Sequence, residues 1–269
     1  MTIADLLDGS FAILKRRPRE VLLLAAAFVI PVQLLASVLL RDVLAEGGFA
    51  GTGLGESTSS VGFEESGELT GLGPTLVSAL ISVSSLALLA GALARLVADW
   101  HRGERGTPGA VILATLRRSP ALLVGVVVVH LLELLGLVAF GIGAYVMMCF
   151  LHVVSPVIVA EEVGPFTAIV RSFRLTTSKA WRSLYVPLLV GVVGALVGLG
   201  FQLIPELVIL LVSEDWYWLV RSSGSMLAQL VVAPFTAGVA VLYHLDLRIR
   251  SEGYDIHRQV AWYQSSGVH

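Results

Sequence analysis

PFTAIVRSFRLTTSKAWRSL, residues Pro165 to Leu184, stands between two long apolar runs, and the rest of the chain is read outward from it. At about 100° per residue, Phe166, Ile169, Val170, Phe173, Ala180, Trp181 and Leu184 fall on one side of a helix. Arg171, Arg174, Ser178, Lys179 and Arg182 fall on the other. This is a basic amphipathic helix. Between membrane spans it is expected to lie in the headgroup plane, its apolar face in lipid or on the bundle and its cations toward anionic lipid or a partner. It serves either as a simple connector or as a recognition element, with Arg171, Arg174, Lys179 and Arg182 the candidate binding residues.

Composition supports the membrane setting. Of 269 residues, 56% are hydrophobic and only 14% charged, and the mean hydropathy is +0.84. Soluble domains carry about a quarter charged residues. The single cysteine, Cys149, sits inside an apolar run and excludes an intrachain disulfide framework and a thiolate metal cluster. No cleavable signal is expected, since Asp5 and Asp8 precede a first apolar run long enough to span.

Taken in order, residues 1–19 form an interfacial helix, with Ile3, Leu6, Leu7, Phe11 and Leu14 on one face. Transmembrane helices are expected over 20–44, 74–98, 120–140, 144–160, 185–212 and 224–243, each near the ~20 residues that cross a bilayer. Residues 45–73 hold nine glycines and no lysine or arginine, which predicts a flexible acidic loop on the outer side. Thr107-Pro108 opens a short helix through Arg118 before the third span, and residues 165–184 and the tail 244–269 complete the inner side. The fold class is all-α and polytopic.

Sorted by side, sixteen of the 18 lysines and arginines fall at the two termini and the second and fourth connections. Only Arg41 and Arg221 fall opposite, so both termini are expected to face the cytoplasm across a plasma membrane. Three times a basic segment (FAILKRRP, VILATLRRSP, AIVRSFRLTTSKAWRS) precedes a pair of spans, which predicts three helix hairpins, each with an interfacial helix.

Ionisable residues inside spans are costly and mark candidate sites. His130, Glu133, His152 and Glu206 form this set. If their helices are neighbours, they could carry protons, bind a cation or receive a headgroup; otherwise each is an interhelical hydrogen bond. No catalytic residues are assigned, because no His-Glu-x-x-His, Gly-x-Ser-x-Gly or phosphate-binding glycine loop is present. No metal and no cofactor is expected, and nucleic acid is excluded because orientation already explains the basic residues.

Leu242 to Ile256, LYHLDLRIRSEGYDI, alternates charge just below the last span. Asp246 with Arg250 and Arg248 with Glu252 have helical ion-pair spacing, Gly253 suits a helix C-cap, and the density suggests docking on other segments. This run, matching at Asp246, Leu247, Arg248, Arg250, Glu252, Gly253, Tyr254 and Asp255, resembles the closing signature of the membrane-domain superfamily named after glycerophosphoryl diester phosphodiesterases, with His244 where a second tyrosine is common. LLDGSFAILKRRPREVLLLA and SPVIVAEEVGPFTAIVRSFRLTTSKAWRSL look like the same family. The resemblance implies a six-span module without enzymatic activity of its own. Stand-alone relatives accompany MoxR-type ATPases, so such an ATPase system is an implied partner. The expected function is a non-catalytic scaffold engaging anionic lipid or partner proteins; the alternative is a small transporter or lipid-handling protein.

Overall fold

A computed structural model describes residues 2–39, 72–103, 107–137 and 141–253. Among them the chain is helical, with no strand: α1 (Ile3–Arg16), α2 (Pro18–Leu39), α3 (Leu72–Arg102), α4 (Pro108–Leu137), α5 (Ile142–Leu151), α6 (Val154–Ala160), α7 (Pro165–Thr177), α8 (Ala180–Ile209) and α9 (Tyr217–Glu252). Six helical segments are long and apolar enough to cross a membrane, α5 and α6 together making one of them. The architecture is that of a multi-pass membrane protein.

The helix α9 is the axis of the bundle. Its middle is built from small residues and is buried through Ala233, Pro234, Phe235, Ala237, Gly238, Val239, Ala240 and Val241, so neighbours approach it closely. Around it pack α1, α2, α3 and α8, with α6 and α7 at the basic end. Successive spans pair as hairpins, α2 with α3, α4 with the α5–α6 pair and α8 with α9. Glycines set two of these crossings. A Cβ at Gly136 would lie 2.6 Å from the Gly143 backbone, and one at Gly224 would overlap the Pro205 ring. By contrast, α4 and α8 keep long apolar flanks exposed, including Leu131, Leu134, Leu196 and Leu203.

The first helix is tied down more firmly than a surface helix. Thr2 and Asp5 form a reciprocal capping box, with Asp5 N donating to Thr2 Oγ1 at 3.1 Å. The Ser10 hydroxyl then donates to the Phe235 carbonyl at 2.7 Å, and Leu6 is fully buried. An amphipathic pattern therefore docks on α9, with Phe11 against Phe235 at 4.7 Å.

The second span runs from Leu72 to Arg102 rather than 74–98 and α9 starts at Tyr217 rather than 224, and four further differences have a local reason. The short helix after Thr107 and the third span are one continuous helix, α4, which passes through Pro120. Proline cannot serve the Leu116 carbonyl, and the Ser119 hydroxyl does so instead at 2.8 Å. The fourth span is broken at His152–Val153. Pro156 cannot bond the His152 carbonyl, while the Phe150 carbonyl accepts from Ser172 Oγ at 2.8 Å and Thr176 Oγ1 at 3.0 Å.

The basic helix ends at Thr177 rather than Leu184, and Ala180 already belongs to α8. Thr177 and Ser178 hydroxyls donate back to the Phe173 and Leu175 carbonyls, a competition with helix propagation. Finally, α9 continues through Arg248 and Arg250 to Glu252, where Gly253 closes it at φ 60°. Residues 45–71 of the acidic loop, and Asp255 and Arg258 of the tail, lie outside the described residues.

Candidate functional site

The four basic residues singled out on the 165–184 segment divide into two pairs. Arg171 and Arg182 point into the bundle: Arg171 Nε lies 2.9 Å from Glu161 Oε2 and Arg182 Nη2 lies 3.2 Å from Asp246 Oδ2. Arg174 and Lys179 are exposed. The surface that α7 packs on the bundle is Ala168, Ser172, Leu175 and Thr176. Phe166 and Val170 face outward instead, 65% and 69% exposed, and Trp181 at the start of α8 is 75% exposed beside them. Two hydroxyls and a guanidinium thus anchor the helix alongside the buried Ala168 and Leu175, while Phe166, Val170 and Phe173 stay exposed.

Below the spans a single ion network ties the ends of α6, α7 and α9 together. Glu161, just past α6, is its hub. Its carboxylate accepts from Arg171 and from His244 Nε2 at 3.1 Å, and Arg248 Nε stands 3.6 Å away. Arg171 also donates to Glu252 at 2.8 Å, and Glu252 meets Arg248 at 3.4 Å. Burial works to raise the Glu161 pKa, but the hydrogen bonds from His244 and Arg171 outweigh it and hold the carboxyl down at about 2. Asp246 is the second hub. It is 1% exposed and held by Arg182 and by Arg250 Nε at 3.0 Å. Both spacings noted on the C-terminal run form ion pairs within α9, and the run docks on Glu161, α7 and α8 through Arg248–Glu161, Arg171–Glu252 and Arg182–Asp246.

Glu162 extends the network to the other side. Its carboxylate meets Arg95 of α3 at 3.3 Å and Arg118 of α4 at 3.6 Å, and Arg118 also donates to the Glu162 carbonyl. Arg95 is shared with Asp99 at 3.1 Å, and Asp99 pairs with Arg102. Arg17 closes this flank by pairing with Glu20 at 2.8 Å and lying over the Trp100 ring.

The intramembrane residues hold separate partners. His130 and Glu133 meet on one face of α4, Nε2 to Oε2 at 3.6 Å, and His130 Nδ1 bonds the Val126 carbonyl at 2.8 Å. Glu206 pairs with Arg221 across the α8–α9 hairpin at 3.1 Å, beside a Gln202–Ser225 hydrogen bond of 2.7 Å. His152 sits at the break in the fourth span, its Nδ1 3.2 Å from the Cys149 carbonyl and its ring stacked on Tyr243. Tyr243 in turn bonds Ser183 at 2.8 Å. Among the described residues no His, Cys, Asp and Glu group has the makings of a metal site.

Sequence reasoning passed over Glu161, Glu162, Arg95, Asp99 and Arg118. The available signal was an adjacent acidic pair at the otherwise basic end of a span, next to Gly164 and Pro165. The chain matches no protein-family model, no curated protein and no solved structure.

Proposed function

We propose that this chain is a non-catalytic membrane scaffold whose basic end faces the cytoplasm and engages anionic lipid through α7. The observation that carries the reading is the inversion of α7. Its hydroxyls, Arg171 and the buried Ala168 and Leu175 hold it inward, while Phe166, Val170 and Phe173, with Trp181 at the start of α8, project outward and Arg174 and Lys179 are exposed beside them. Exposed apolar side chains next to cations match an acyl boundary and an anionic headgroup layer at once. Each cation near such a surface contributes about 1 kcal/mol. Arg171 and Arg182 drop out of the lipid-facing set, because the bundle itself neutralises them.

The kinship with the glycerophosphoryl diester phosphodiesterase membrane-domain superfamily belongs to the same proposal. It rests on the C-terminal run, whose Asp246, Arg248, Arg250 and Glu252 are occupied in holding α9 against α6, α7 and α8. A structural use for every one of these charges fits a module without catalysis. An ATPase partner of the kind the resemblance implies would reach the protein at this same end. A transport role needs His130, Glu133, His152 and Glu206 to share one cavity, and of these the fold pairs His130 with Glu133, while Glu206 and His152 hold other partners.

The test is lipid retention by the purified full-length protein, measured by native mass spectrometry after reconstitution with phosphatidylglycerol and phosphatidylcholine. Arg174→Glu with Lys179→Glu is expected to lower phosphatidylglycerol retention by about tenfold or more, with the melting temperature unchanged. Equal retention in the variant and the parent contradicts the reading.

A further inference from the structure

Among the described residues, Glu162 is the one non-glycine residue with a positive φ, 54°. It follows the C-cap of α6, where glycine is the usual choice because a Cβ is strained there. A glutamate at such a position needs a reason in its side chain. That side chain is 60% exposed, yet two arginines from different helices converge on it, Arg95 of α3 at 3.3 Å and Arg118 of α4 at 3.6 Å. Neither contact is short, and both arginines are partly exposed.

Two guanidinium groups aimed at one exposed oxyanion form the arrangement that binds a phosphate, here occupied by the protein's own carboxylate. The neighbourhood suits a lipid. The N-terminus of α7 packs on α4, with Pro165 Cβ 3.9 Å from where a Cβ on Gly125 would stand. Along the same two helices Leu123, Val124, Val127, Phe166 and Val170 are exposed and apolar. We propose that Arg95 and Arg118 form a phosphate-binding site for an anionic lipid headgroup, and that Glu162 is a built-in competitor which occupies the site when it is empty. This rests on the reading of the basic end as lipid-facing, and it shares the exposed Phe166 and Val170 with the α7 rim but none of that rim's cations.

The chemistry is shared by a headgroup phosphate and a free phosphate ion, so the test has an arm for each. Phosphatidylglycerol binding to the full-length protein in detergent is titrated by native mass spectrometry, alone and against inorganic phosphate. Removing the competing carboxylate in Glu162→Gln is expected to tighten binding roughly two- to five-fold. Glu162→Gly removes the carboxylate and also relieves the backbone, so it preserves the turn and is expected to give the same gain. Arg95→Gln with Arg118→Gln, added to either, is expected to abolish the gain.

Binding that is unchanged or weaker in both Glu162 variants overturns the proposal. A gain in Glu162→Gly alone also overturns it, because the effect then comes from the backbone. Lipid that resists millimolar phosphate assigns the site to headgroups, and displacement at that concentration assigns it to the free anion; either supports the pair of arginines as the site. Arg174→Glu with Lys179→Glu separates the two ideas: it is expected to leave the Glu162-dependent gain intact even where total lipid retention falls.

Discussion

Glu161 shows what a single side chain does at the basic end. It accepts from Arg171 and His244 and stands 3.6 Å from Arg248, so one carboxylate serves groups from two helices, two of them guanidinium cations. Glu161→Gln keeps the shape and removes the charge, leaving three donors around a neutral amide. Removal of one partner from such a largely buried set costs about 2–4 kcal/mol. The expected result is a clearly lower melting temperature in detergent at neutral pH. Because the Glu161 carboxyl is held at about 2 against an ordinary 4.5, its contribution is complete above pH 4.5 and is lost as the pH falls toward 2. The parent should therefore lose stability over that acid window, and Glu161→Gln should lose less. A variant that melts with the parent at every pH would remove Glu161 from the centre of the network. This hub was invisible in the sequence for a physical reason. Spacing along one helix exposes Asp246 with Arg250, but Glu161 gains its partners only when α6, α7 and α9 meet.

At the scale of elements, periodicity found α7 but left open which face packs, and it placed Arg171 and Arg182 with the outward cations although both pair inside the bundle. An amphipathic pattern states that two faces differ; it does not state which one packs. Here Ser172 and Thr176, small and able to donate, reach a carbonyl that the broken fourth span leaves open, and Leu175 packs with them while Phe166, Val170 and Phe173 turn outward. The break itself was unread because the length and hydropathy of 144–160 match an unbroken span, and only Pro156 hints otherwise. If the two hydroxyls support the break, Ser172→Ala with Thr176→Val leaves the Phe150 carbonyl short of both donors. The expected cost is about 1–3 kcal/mol, read as a lower melting temperature and faster hydrogen exchange at residues 150–154. Unchanged exchange there would mean that Pro156 alone holds the break open. Continuity through Pro120 teaches the complementary lesson, since a serine one residue earlier serves the orphaned carbonyl.

The whole molecule joins the most buried span, α9, to exposed apolar flanks on α4 and α8, with charge concentrated at one end. The number and order of spans were legible because burial in hydrocarbon demands long apolar runs. Which residues converge was not legible, since convergence depends on helix crossings set by contacts such as Gly136 on Gly143. The proposed orientation has a direct check. A membrane-impermeant maleimide added to intact cells is expected to label Glu214→Cys, and to label Lys15→Cys only after permeabilisation; the reverse pattern would invert the protein.

The central claim is that the outward face of α7 lies in lipid, and spin labels report it most directly. In a background with Cys149 replaced, labels at Val170→Cys and Arg174→Cys are compared for collision with oxygen and with a water-soluble nickel complex in phosphatidylglycerol-containing nanodiscs. The expected result is oxygen access with little nickel access at 170, and ready nickel access at 174. Ready nickel access at both positions would place α7 in water and contradict the reading.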